Sequence, residues 1–130
     1  MSENNNLVCS CFGKPTLIFS CSGGSDVGGL SDRSARKLTQ DGVGKMYCLA
    51  GIGGGVQSIL ETTREADRLI AIDGCPMDCA KKTLEHAGFE LSFHLRLSEL
   101  GLKKGSSPST DENMNLVCQA VANGLPALPR

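Results

Sequence analysis

The chain has no tryptophan, four phenylalanines and one tyrosine. Neither sign of charge is in excess: 13 lysines and arginines stand against 14 aspartates and glutamates, a formal net charge of −1. The basic, aromatic-rich face that nucleic-acid binding leaves in a sequence is therefore missing. No apolar run approaches the roughly 20 residues needed to cross a bilayer. Residues 1–6 are polar and lack the basic-then-apolar order of a secretory leader. These absences predict a cytoplasmic protein whose partners include neither nucleic acid nor membrane. The Cys-x-x-Cys knuckles of zinc fingers are absent too, as are the G-x-x-x-x-G-K-S/T and G-x-G-x-x-G phosphate loops. A Cys-x5-Arg phosphatase is excluded because Val27 and Lys81 stand six residues beyond Cys21 and Cys75.

What the chain does have is cysteine: seven in 130 residues. In a reducing compartment such clusters serve as metal ligands or reactive thiols more often than as disulfides. Their placement follows from the order of predicted elements. Residues 1–15, with the Cys9–Cys11 pair, read as a flexible tail, residues 16–125 as one α/β domain, and residues 126–130 as a second tail. Within the domain, apolar runs at Thr16–Ser20, Lys45–Ala50 and Arg68–Ile72 predict three buried strands. Phe89–Leu97 alternates, with Leu91, Phe93, Leu95 and Leu97 against Ser92, His94 and Arg96, and predicts a half-exposed edge strand with its polar side chains in solvent.

Helices are predicted from Leu30 to Gln40, around Val56–Thr63, from Pro76 to Ala87, and through Met114, Val117, Cys118 and Val121. Ser109 and Glu112 have the spacing of a capping box ahead of the last one. Strand–helix alternation four times over implies a small three-layer sandwich with a mostly parallel four-stranded sheet, Rossmann-like or flavodoxin-like.

Cys21, Cys48 and Cys75 recur at intervals of 27 residues, each at or near a predicted strand end and each followed by a glycine-containing turn. That interval is about one strand-plus-helix unit. Three thiols are thus delivered to the C-terminal edge of the sheet, where open α/β folds bind ligands. Proline is at home in the first turn of a helix, so Pro76 is expected to open one, with Cys75 at or next to its N-cap and Cys79 one turn on. Asp73 and Asp78 then serve as cap and dipole partner.

Neighbouring strand ends lie close enough to share a metal, and zinc in a closed site takes four such ligands. The set Cys21, Cys48, Cys75 and Cys79 is therefore a candidate zinc site. The same thiols would also suit an iron–sulfur cluster, or a redox or transfer enzyme with Cys75 as nucleophile. Cys118 falls on an apolar helix face and reads as core. His86 and His94 read as surface residues.

These residues give the chain a resemblance to the DGC-domain family, named for an Asp-Gly-Cys motif, here Asp73-Gly74-Cys75. It runs from about Thr16 to Asn123. It rests on Cys21-Ser22-Gly23, Cys48, the Asp73–Cys75 motif with Cys79-Ala80, and Leu100-Gly101-Leu102-Lys103-Lys104-Gly105. The resemblance implies zinc held by Cys21, Cys48, Cys75 and Cys79. It implies no activity, and Cys9 and Cys11 lie outside it.

Overall fold

The computed structural model describes residues 15–21 and 23–126. The Cys9–Cys11 pair, the N-terminal tail up to Lys14 and the last four residues lie outside the described residues. Four parallel strands form one sheet in the order β2-β1-β3-β4. They are β1 (Thr16–Ser20), β2 (Lys45–Met46), β3 (Arg68–Asp73) and β4 (Phe93–Arg96). The helices are α1 (Asp26–Gln40), α2 (Leu49–Gly53), α3 (Gln57–Arg64), α4 (Cys79–His86) and α5 (Asp111–Gly124), with a 3-10 turn at Leu97–Leu100. None is long and apolar enough among the described residues to cross a membrane.

Alternation along the two central strands builds three layers. Ile18, Ile70 and Ile72 face one way, onto Val27, Leu30 and Leu38 of α1 and Met114, Val117 and Val121 of α5. Leu17, Phe19, Leu69 and Ala71 face the other way, onto Ile52, Ala80 and Leu84, with Ile59 and Leu60 packed alongside. A parallel sheet covered on both faces reads as continuous apolar runs, and β1 and β3 do. The strand order agrees with the start of the flavodoxin-like 2-1-3-4-5 arrangement. The chain leaves β1 toward the α1 layer and β3 toward the α4 layer, so the crevice between their exits is the topological switch point.

Three expectations shift. The apolar run at Lys45–Ala50 divides: only Lys45 and Met46 pair with β1, opposite Leu17 and Ile18, and Leu49 already belongs to α2. Short apolar runs fit a buried strand or a helix equally well; here Cys48 decides, because its sulfur accepts the Gly51 N–H and so caps α2. The helix after the first glycine loop starts at Asp26, not Leu30, capped by Ser25, whose hydroxyl accepts the Gly28 N–H. The last helix is capped by Thr110, one residue after the expected cap, through the Asn113 N–H.

Candidate functional site

The exits of β1 and β3 are tied together at the switch point. Cys21 N–H donates to the Ile72 carbonyl (3.0 Å), extending the ladder one residue past β1. Cys21 Sγ in turn accepts the N–H of Gly74 at 3.3 Å. Gly74 is required there by space: a Cβ on it would lie 2.8–2.9 Å from Val27 atoms, one of them the Val27 carbonyl carbon. The glycine lets the β3 exit pass directly beneath the start of α1.

Cys75 and Cys79 sit differently from the expected helix tip. Asp78 N–H donates to the Cys75 carbonyl (3.2 Å), closing a turn with Pro76 in its second position. Proline favours that position because its fixed φ suits it. The helix begins only at Cys79, and its N-cap residue, Asp78, adopts the left-handed conformation with φ 56°. Cys75 is therefore not an N-cap, and it precedes the helix that carries Cys79. The cap groups come from Asp73: Oδ1 accepts the Ala80 N–H at 2.7 Å and Oδ2 the Lys81 N–H at 3.0 Å.

The side chains expected in solvent on β4 turn out to be part of the same network. The parallel register sets His94 beside Ala71 and Arg96 beside Asp73, on the face that α4 covers. His94 Nε2 lies 2.9 Å from Asp73 Oδ2 and 3.7 Å from Asp78 Oδ1, with its side chain only 16% exposed. Arg96 grips Asp78 with both arms, Nε to Oδ1 at 2.8 Å and Nη2 to Oδ2 at 2.5 Å. That guanidinium, aided by His94, holds the Asp78 carboxyl below the ordinary aspartate range. Asp78 thus answers to Arg96 rather than to the helix dipole. The clue lay in the parallel topology: an alternating strand with helices on both sides of its sheet has no fully solvated face.

Asp73, Asp78 and His94 bring ligand-type atoms within 4.8 Å of one another, the group of that kind among the described residues. The four cysteines line the same edge of the sheet without closing to that spacing. Cys21 follows β1, Cys48 caps α2 two residues after β2, Cys75 follows β3, and Cys79 opens α4. Cys48 and Cys79 are exposed, Cys21 and Cys75 half-buried, and all are free thiols. Cys48 also borders an open groove of about 560 Å³ formed with Arg36, Thr39, Met46 and Tyr47.

Burial pushes the Cys21 thiol up, and the charges of Asp73 and Cys79 add to this; the Gly74 amide and Ser31 hydroxyl only partly offset the rise. The donor chemistry fits a soft divalent cation. Two of the four sulfurs already accept backbone N–H groups, the outer contacts that stabilise metal-bound thiolates.

Residues 17–121 match the family model of the DGC domain. Over 88 residues the chain is 39% identical to the anaerobic and virulence modulator AnvM of Pseudomonas aeruginosa PAO1, a match covering 68% of this chain and 67% of that protein. No solved structure matches.

Proposed function

The chain belongs to the DGC-domain family, and from that premise we propose that it is a cytoplasmic zinc-binding protein whose ligands are Cys21, Cys48, Cys75 and Cys79. The observation that carries this reading is the junction of the β1 and β3 exits, where Gly74 N–H is aimed at Cys21 Sγ. Four thiolates on a divalent ion leave a charge of minus two, which is costly near a protein interior without hydrogen bonds. The Gly74 and Gly51 amides supply such bonds at two of the sulfurs. When bound, zinc would hold these thiols deprotonated and lock their loops into one arrangement.

Anaerobic purification followed by native mass spectrometry and elemental analysis tests the proposal. The expected result is one zinc per chain, lost in Cys75→Ser and retained in Cys118→Ser. Unchanged metal content in Cys75→Ser would sink it. A brown protein containing iron and sulfide would point to an iron–sulfur cluster on the same cysteines.

A second reading, a thiol redox or transfer site, draws on the exposure of Cys79 at the start of α4, which leaves its sulfur open to a reaction partner. Metal-free protein with a mass two units low, for one disulfide, would favour it.

A further inference from the structure

The carboxylates of Asp73 and Asp78 resemble a metal site with His94, yet their oxygens are already engaged. Asp73 Oδ1 takes the Ala80 N–H, Asp73 Oδ2 takes the Lys81 N–H and faces His94 Nε2, and both Asp78 oxygens take Arg96. A cation there would have to displace three or more hydrogen bonds and sit beside a guanidinium. The cluster does something else. Asp73 is 1% exposed and fixes the first turn of α4, the turn that Cys79 opens. Asp78 stands immediately before Cys79 in the left-handed conformation, uncommon for a non-glycine residue though aspartate takes it more readily than most. Its carboxylate is held by Arg96, whose planar fork fixes a carboxylate in direction as well as distance.

We infer that His94 and Arg96 of β4 are positioning residues which, through Asp73 and Asp78, set where the Cys79 sulfur stands relative to Cys75 and Cys21. This rests on the four-cysteine reading for its consequence, metal affinity, though not for its geometry. The link is mechanical. One strand presents two cationic or hydrogen-bonding side chains two residues apart; each holds one carboxylate, and those carboxylates stand just before Cys75 and just before Cys79. If the Arg96 fork is lost, Asp78 is free to leave φ 56°, and the Cα–Cβ direction of Cys79 turns with it.

The test uses the full chain with Arg96→Gln, His94→Gln, the partial replacement Arg96→Lys, and Arg33→Gln as a remote control. Arg33 of α1 pairs with Asp111 of α5, outside this network. Zinc affinity is read by competition with a chromophoric chelator, and site geometry by the thiolate-to-cobalt absorption of the cobalt(II)-loaded protein. Loss of contacts behind metal ligands typically costs about 10- to 100-fold in affinity. Arg96→Gln is expected to weaken zinc by that order and to alter the cobalt spectrum. Arg96→Lys should fall between it and wild type, and Arg33→Gln should match wild type.

A merely structural role would lower the melting temperature of the Arg96 and His94 variants while affinity and spectrum stayed as in wild type, and that outcome overturns the inference. Alkylation of the metal-free, folded proteins separates the two readings. The rate at Cys79 is taken as a ratio to that at Cys118 in the same molecule. If wild type takes up neither zinc nor cobalt, the metal reading fails alone, and the ratio decides here: a several-fold change in Arg96→Gln sustains the positioning role, an unchanged ratio ends it.

Discussion

The amide of Gly74 and the sulfur of Cys21 face each other across 3.3 Å at the point where β1 and β3 release the chain to opposite layers. Two residues 53 apart in sequence are thereby joined by a contact that only a glycine at position 74 permits. A Cβ there would meet Val27 Cγ2 at 2.8 Å and the Val27 carbonyl carbon at 2.9 Å. Backbone cannot step aside as a side-chain tip can. Gly74→Ala should therefore cost about 1–3 kcal/mol, the usual range for overpacking a tight site, as measured by urea denaturation. It should also reduce zinc uptake, by moving the Gly74 N–H off Cys21.

Asp73 gives the largest single-residue effect expected at this edge. Its carboxylate is buried and satisfies Ala80 N–H, Lys81 N–H and His94 at once. Asp73→Ala leaves two helix amides and an imidazole without that acceptor. Capping losses run at about 0.5–2 kcal/mol, and a buried group left unpaired costs about 1–3 kcal/mol. Denaturation should show a loss toward the upper end of those ranges. Asp73→Asn, which keeps the shape and one acceptor oxygen, should lose less; an equal loss in both would mean that the charge and the second acceptor oxygen, not shape, carry the effect at this position.

Much of this edge was legible in the sequence, and the parts that were not have identifiable causes. The apolar β-branched runs around Ile18 and Ile70 announced two central strands, because a strand covered on both faces has little room for polar residues. Cys21, Cys48 and Cys75, spaced 27 residues apart, each follow the end of a strand. Pro76 misled, since a proline that suits a first helical turn suits the second position of a β-turn equally well. The turn is accompanied by the pairing of Asp78 with Arg96, residues 18 apart, which no local pattern encodes. His94 and Arg96 were assigned to solvent for a related reason: their partners come from the neighbouring strand and its exit turn.

Asp26 supplies the clearest pH dependence. Its carboxylate accepts N–H groups from Gly105 (2.9 Å) and Ser107 (3.0 Å) of the Lys103–Ser109 loop and from Val27 (2.8 Å). The Gly105 and Ser107 amides, in that order, hold its carboxyl below the ordinary aspartate value. A carboxyl depressed on folding contributes its stability in full above the unfolded value, near pH 3.9, and loses it as pH falls through the folded one. The Asp26-dependent part of stability should thus be intact at pH 6 and fade below about pH 4. Melting temperatures of wild type and Asp26→Asn should differ at pH 6 and converge on acidification. A gap that stayed constant down to pH 3 would show that the loop is held by something other than the ionised carboxylate.

Thiol reactivity in the metal-free protein separates the cysteines by environment. Burial pushes up both Cys21 and Cys118, and Cys118 Sγ also donates to the Ser34 carbonyl at 3.6 Å. Cys48 and Cys79 are exposed. Alkylation is carried by the thiolate, so both protonation and access retard the first pair. Iodoacetamide at neutral pH, followed by peptide mass mapping, should label Cys48 and Cys79 early and Cys21 and Cys118 late. Zinc should then protect Cys21, Cys48, Cys75 and Cys79 while leaving the Cys118 rate unchanged, because Cys118 sits between α1 and α5, away from the strand exits. Protection that spread equally to Cys118 would mean that zinc tightens the whole fold rather than occupying the four thiols. Protection of Cys21, Cys75 and Cys79 without Cys48 would reduce the site to three sulfurs and leave a coordination position open.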